Sequence, residues 1–397
     1  MKRVTVIGTG IGAGTLTAEA ADAIARAEVL LGARRLLADY GGAAKTTHAC
    51  YLPADVAAVV RAADGGEFAV LVSGDVGFYS AAAGLAEALA DCAAMRFLPG
   101  ISTVNALFAR LGLPWQDAAH ISAHGRAANV ADIVRRNRLT FCLTGGNVND
   151  IGAGLVNVGL GGLTAHVGEN LGLPEERVYD SMAEALSQGE YPSLTALLLV
   201  NEDFDDRVRT GIPDSEFVRL DGIPMTKSEV RAVIAAKLAA RPDDVCWDVG
   251  AGTGSVTVEL ALSAYRGQVC AIERRADAMP LIAENCKSFH IGNVTTVCGD
   301  APDALCGLPA PDVVFIGGSG GELRAILKAA WDANLSARIC VAAVTVETVG
   351  FALSAMQAAG HEPDIVQLSA ARGKKAGRFH LMEAMNPITI LCAGGGR

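Results

Sequence analysis

The stretch CWDVGAGTGSVTVELA, Cys246 to Ala261, constrains this chain more than any other. Val245 to Val249 reads as an apolar strand that runs into three glycines at alternate positions, Gly250, Gly252 and Gly254. A helix then carries Val256, Val258, Leu260 and Leu262. Glycine takes the positive φ angles that such a turn demands, and its missing Cβ lets a ligand lie directly on the backbone. The spacing G-x-G-x-G departs from the dinucleotide pattern G-x-G-x-x-G. It describes a wider turn, suited to a cofactor with no pyrophosphate.

Two carboxylates extend the pattern. Gln268 to Ile272 reads as a second strand, and Glu273 stands at its carboxyl end, where an acid can accept hydrogen bonds from both ribose hydroxyls. Asp300 ends a third strand, Val294 to Cys298. Three consecutive strand ends then converge on one crevice, which is where open α/β sheets bind ligands. Taken singly, either acid reads equally well as an ordinary loop residue.

Asp248 to Gly254, Glu273 and Asp300 resemble the successive cofactor motifs of the class I S-adenosylmethionine-dependent methyltransferases. IPMTKSEVRA upstream (Ile223 to Ala232) and DVVFIGGSGGEL downstream (Asp312 to Leu323) are similar to the corrin-pathway family that methylates C15 and decarboxylates the ring C acetate. The resemblance assigns Gly250, Ala251, Gly252, Thr253, Gly254, Glu273, Asp300 and Ala301 to the cofactor, and Thr226 with them. Thr226 reads equally as the plain N-cap of a helix from Lys227 to Ala239. Gly317 and Gly318 are then expected at the substrate, with Ser319 as the proton source for decarboxylation.

The N-terminal half opens with a strand, Val4 to Ile7, followed by GTGIGAGTLT and a helix from about Thr17 to Arg26. Gly8, Gly10 and Ala13 satisfy the G-x-G-x-x-A form of the dinucleotide fingerprint. The strand Val29 to Leu31, however, ends in Gly32, Ala33, Arg34 and Arg35 with no acid, which weakens a nicotinamide or flavin reading. Phe68 to Val72 leads into SGDVGFYS, and Met95 to Leu98 into PGIST. Each is a strand followed by a polar, glycine-containing loop. These motifs resemble the tetrapyrrole methylase family, the class III methyltransferases, in which two α/β lobes enclose S-adenosylmethionine. Gly8, Gly10, Gly12, Leu16 and Thr17 match its opening signature, with Ile11 in place of the usual proline and Ala13 in place of the usual acid. By that resemblance Gly10, Ile11 and Gly12 face the tetrapyrrole, while Ser73, Gly74, Asp75, Phe78, Ser102, Thr103, Thr144, Gly145 and Gly168 line the cofactor. His124 and Arg126 are candidates for substrate carboxylates; a histidine near a turn is also commonly structural.

Composition narrows the partners. A chain of 397 residues implies two domains. Residues 1–205 form the first, with lobes 1–113 and 114–205 divided where Pro114 stops a helix; 206–221 is an acidic linker; 222–397 form the second. Apolar runs such as Leu197 to Val200 are too short to span a bilayer, so no membrane is expected. MKRVTVIGTG reaches glycine after four strand-like residues, so the expected compartment is the cytoplasm. Ten cysteines show no C-x-x-C or close Cys/His cluster, and read as reduced core thiols with no metal site. A net charge of −10 argues against a nucleic-acid partner. Arg372, Lys374, Lys375 and Arg378 form the one basic cluster, either a solvated loop or a clamp for substrate carboxylates.

The fold expected is α/β throughout, a bilobal tetrapyrrole methylase fold followed by a Rossmann-like seven-stranded class I methyltransferase. The strands of the second domain are read at residues 245–249, 268–272, 294–298, 312–316, 339–344 and 365–368, with an antiparallel pair around 379–382 and 388–392. The paired resemblances imply methylation of a reduced precorrin at C5 and C15 with loss of the ring C acetate carboxyl. They also imply one S-adenosylmethionine site per domain and a homo-oligomer, a tetramer being favoured. Two other readings stand beside this one, an RNA methyltransferase and a fusion in which one domain is a silent assembly module.

Overall fold

The computed structural model describes residues 2–43, 46–124, 129–207 and 209–395. The chain forms two compact units that change over between Glu202 and Asp203, with residues 129–136 and 153–162 counted with the second.

In the first unit β1 (Lys2–Gly8), β2 (Val29–Gly32), β3 (Thr46–His48), β4 (Glu67–Val72) and β5 (Ala93–Leu98) form an all-parallel sheet in the order β3-β2-β4-β1-β5. Val4, Val6, Val29, Phe68 and Val70 pack on one face; Ile7, Leu30, Ala69 and Leu71 pack on the other. Burial on both faces is what near-continuous apolar runs require. The helix Ala18–Arg26 begins where the Thr17 hydroxyl accepts the Ala20 N–H at 3.2 Å. A second sheet holds β6 (Ala119–Ser122), β7 (Leu139–Leu143), β8 (Thr164–Glu169), β9 (Arg177–Met182) and β10 (Thr195–Val200) in the order β6-β7-β10-β8-β9. Only β6 and β7 run parallel there. The helix Thr103–Leu111 that leads to it stops at Gly112, which takes φ 67°, so the sequence expectation that Pro114 ends it is corrected by two residues.

The second unit contains β11 (Val245–Val249), β12 (Gln268–Glu273), β13 (Val294–Cys298), β14 (Val313–Ile316), β15 (Arg338–Ala343) and β16 (Asp364–Leu368), then a hairpin of β17 (Ala371–Ala376) and β18 (Phe379–Ala384), then β19 (Ile388–Ala393). Seven of these make one sheet, β13-β12-β11-β14-β15-β19-β16, parallel except for β19. Phe379 to Met382, read from sequence as part of the sheet, pairs only with β17; the place beside β19 belongs to Asp364–Leu368.

Part of the stretch read as a linker packs into the core of the second unit. Ile212 and Phe217 lie 2% and 5% exposed in the core with Val230 and Ile234, because a buried ion cluster ties this segment down. The fully buried Arg231 guanidinium meets Asp214 Oδ1 at 3.1 Å and Glu259 Oε1 at 2.8 Å. Glu259 also accepts the Gly211 and Ile212 N–H groups at 2.9 and 3.0 Å. Asp214 further accepts the N–H of Ser228 at 3.0 Å, at the start of the helix Ser228–Leu238. The cap expected of Thr226 is thus supplied by Asp214; the N-cap position is Lys227, and Thr226 offers its carbonyl to Arg231. Among the described residues no helix is long and apolar enough to cross a membrane.

Candidate functional site

Each unit has its own crevice. In the second it holds about 480 Å³ at the carboxyl ends of β11, β12 and β14 and beside the residue that follows β13. The alternate glycines all adopt left-handed angles, Gly250 at φ 78°, Gly252 at 56° and Gly254 at 77°, which glycine takes without the Cβ strain of other residues. A Cβ on Gly250 would lie 2.6 Å from the backbone nitrogen of Gly318, so the loops after β11 and β14 touch backbone to backbone. The amides of Gly317 and Gly318 both turn back to the Val249 carbonyl, at 2.9 and 3.3 Å. Those two glycines therefore shape the wall by close approach and do not present free N–H groups.

Glu273 stands on the crevice wall with each oxygen oriented by the backbone. Oε2 accepts the Gly252 N–H at 2.9 Å and Oε1 accepts the Arg275 N–H at 3.0 Å. Behind the loop, Asp248 is fully buried. Its Oδ2 accepts the Thr257 hydroxyl at 2.5 Å, while Oδ1 has no partner among the described residues. Burial pushes this carboxyl up to about 7, the Thr257 hydrogen bond opposes the rise, and the charge of Glu273 adds to it. Asp300, Ala301, Gly317, Gly318 and the half-buried Ser319 share the wall with Gly250 and Gly252.

The structure does not bring every expected residue here. Ala251 and Thr253 are buried behind the turn, and Gly254 starts the helix Ser255–Ser263 against Ile282. Thr226 is not on the wall. Arg372, Lys374 and Lys375 lie on the exposed hairpin, away from the crevice lining. Arg372 bonds Glu229 at 2.9 Å and Asp214 at 2.8 Å, and holds the Glu229 carboxyl down at about 2. Lys374 faces Glu383. Arg372, with two acidic partners in its own unit, serves as a strut. Arg274, Arg275 and Pro224 line the crevice without having been singled out; Arg274 was legible as the next residue beyond a strand end.

In the first unit a crevice of about 400 Å³ is lined by Ser73, Gly74, Asp75 and Phe78 after β4, and by Ser102 and Thr103 after β5. Ile11, His124 and Thr144 close it. Asp75 spans two loops, accepting the Gly77 N–H at 2.8 Å and the Gly100 N–H at 3.1 Å. Gly10 and Gly74 exchange backbone hydrogen bonds at 3.1 and 2.9 Å. Ser102 caps the helix Thr103–Leu111, and the buried Thr144 hydroxyl donates to the Thr195 carbonyl at 2.6 Å. Gly10, Gly12, Gly145 and Gly168 are not lining residues. Gly12 packs on Gly172, Gly145 on His124, and Gly168 lies within β8 against Leu107 and Leu171. Arg126 lies outside the described residues. Arg35, whose guanidinium reaches the Ser73 hydroxyl at 3.4 Å, and Tyr79 and Ser193 to Thr195 complete the wall. The signal for Arg35 was its place just past the end of β2. Among the described residues no group of three or more His, Cys, Asp or Glu side chains could hold a metal ion.

Comparison with known families matches the two halves of the chain to two different families. Residues 3–187 match the tetrapyrrole (corrin/porphyrin) methylases, and residues 216–393 match the precorrin methyltransferase domain; the chain is a methyltransferase. It is 33% identical over 97% of its length to the precorrin-6Y C(5,15)-methyltransferase [decarboxylating] of a Sinorhizobium species, covering 95% of that protein, and it belongs to that family. Solved structures similar to this chain include a precorrin-6y C5,15-methyltransferase from Geobacter metallireducens, 36% identical over 47% of this chain and 98% of that one, with TM-score 0.45. A precorrin 8W decarboxylase from Methanobacterium thermoautotrophicum is 38% identical over 46% of this chain and 99% of that one, with TM-score 0.44.

Proposed function

We propose that the chain methylates a reduced precorrin twice in cobalamin biosynthesis, at C5 in the first unit and at C15 in the second, where the ring C acetate also loses its carboxyl. Each unit seats its own S-adenosylmethionine, which when bound supplies an electrophilic methyl group on a sulfonium. The observation that carries this reading is Glu273, its two oxygens aimed along the crevice wall by the Gly252 and Arg275 N–H groups beside a turn that only glycine can make. A carboxylate so held accepts both hydroxyls of a ribose, each oxygen keeping a lone pair for the ligand.

The meso carbons of a reduced tetrapyrrole are enamine-like nucleophiles, so the residues need orient and not deprotonate. Near-attack positioning alone contributes about 7–11 kcal/mol. In the first unit Asp75 locks the second and third loops together, and Gly74 and Ser102 present the polar wall. In the second, Ser319 is the hydroxyl on the wall that donates a proton to the carbon left by decarboxylation, the macrocycle having taken up the electron pair. We assign the protein to the cytoplasm, where its ten free cysteines remain reduced. Self-association, as a tetramer, is the use we assign to the hairpin, whose Phe379, Leu381 and Met382 are 60%, 62% and 69% exposed.

The test is incubation of the full chain with the donor and reduced, hexamethylated precorrin, followed by mass spectrometry. A product with two added methyl groups and one carbon dioxide lost is expected; an unchanged precorrin overturns the reading. Calorimetry with S-adenosylhomocysteine is expected to give two sites per chain.

A further inference from the structure

The wall of the second unit's crevice sets three acids, Glu273, Asp300 and Glu322, against two arginines, Arg274 and Arg275. Arg275 is committed. Its guanidinium grips Asp277 at 3.0 and 2.7 Å and donates to the Gly222 carbonyl. Arg274 has no ion pair and no side-chain hydrogen bond among the described residues; only its carbonyl is engaged, by the Cys298 thiol at 4.0 Å. Neighbouring residues at a strand end project to opposite sides. Glu273 turns into the wall, 8% exposed, and Arg274 turns out to solvent.

The direction of that side chain is visible in what it approaches. A Cβ on Gly320, in the loop after β14, would lie 3.5 Å from Arg274 Nη1. β12 and β14 flank β11, so the arginine reaches from one side of the crevice mouth to the other, above the turn of Gly250 and Gly252. The opposite rim is Gly317, Gly318 and Gly320, with Ser319 as the one side chain among them, which leaves that approach open. A flat ligand entering over the glycines meets the guanidinium at its edge, while Asp300 and Glu322 repel any anion from the rest of the wall.

We propose that Arg274 binds a side-chain carboxylate of the macrocycle and thereby sets the edge of the ring over the crevice floor. The inference rests on the tetrapyrrole reading above. A guanidinium offers paired N–H groups in the fork geometry that a carboxylate matches, which a lysine reproduces only as a point charge. Its exposure to solvent sets it apart from the buried Glu273 on the same wall.

The experiment compares wild type, R274Q and R274K as full chains. C15 methylation of reduced, hexamethylated precorrin is followed at low and at moderate salt, and S-adenosylhomocysteine binding by calorimetry. R274Q is expected to raise KM about ten-fold or more with kcat within about two-fold, the signature of lost binding common to ground and transition states. Its KM loses most of its salt dependence. R274K recovers part of the affinity, and S-adenosylhomocysteine binds all three alike. An unchanged KM in R274Q overturns the proposal, as does a parallel loss of S-adenosylhomocysteine affinity, which would make Arg274 a cofactor contact. A wild-type chain that leaves C15 unmethylated refutes the tetrapyrrole reading itself, and the anchor with it.

Discussion

Gly250→Ala is the substitution that most directly probes the second crevice. Gly250 adopts φ 78°, and an alanine held in the left-handed region loses about 1–2 kcal/mol. The new methyl would sit 2.6 Å from the Gly318 nitrogen and 2.8 Å from its Cα and oxygen. That is about 1 Å short of an ordinary contact, and all three atoms are backbone. The Gly318 amide cannot retreat without leaving the Val249 carbonyl at 3.3 Å, and Gly250 itself is tied to the Ile272 carbonyl at 2.9 Å. Together these costs come to about 3 kcal/mol against the geometry that seats a ligand, or about two decades in Kd. Calorimetry with S-adenosylhomocysteine is expected to fall from two sites per chain to one. With precorrin, C5 methylation continues while C15 methylation and decarboxylation stop. Gly100→Ala is the mirror experiment, since its Cβ would lie 2.3 Å from the Gly74 carbonyl oxygen and 2.6 Å from that of Gly8. A G250A chain that keeps both sites, the weaker within about three-fold of wild type, refutes the close-approach reasoning.

Other consequences concern stability. Asp248 has a folded-state pKa of about 7 against 3.8 for the free group, so the native state holds the proton more tightly than the unfolded chain. Its contribution to stability is complete below pH 3.8 and is lost as pH rises to about 7, a loss of about 4 kcal/mol at 1.36 kcal/mol per unit. Asp248→Asn removes that slope, so the difference in unfolding free energy between variant and wild type, measured by urea at pH 5 and pH 8, shifts in the variant's favour at the higher pH; parallel curves would contradict it. Arg231→Met leaves Glu259 buried without its cation and Asp214 with Arg372 alone, and is expected to cost about 3–5 kcal/mol in chemical denaturation. A loss under about 1 kcal/mol would show that water reaches the cluster.

Several features were legible before any coordinate. The alternating glycines announced positive φ angles because a residue without a Cβ takes them at least cost, and Glu273 was placed at the crevice because the carboxyl ends of parallel strands border it. Asp75 and Ser102 were found by the same rule, although their contacts show them fastening loops as well as lining a wall. The segment around Asp214 looked like a solvated linker because its charges are dense in sequence. Only the folded chain reveals that Asp214 answers Arg231, 17 residues away. Nor does the basic run reveal that Arg372 is held by Glu229, which precedes it by 143 residues.

Local chemistry thus determined where the chain must turn, which strands lie buried on both faces, and which loops stand at their carboxyl ends, because backbone sterics and hydrophobic period act over a few residues. Which charges remain free to meet a ligand was decided by tertiary structure alone. An arginine is spent or available according to the carboxylates that the fold carries to within about 4 Å of it, and that distance is set by topology. Arg372 was withdrawn in this way, and Arg274 was left at the mouth of the crevice.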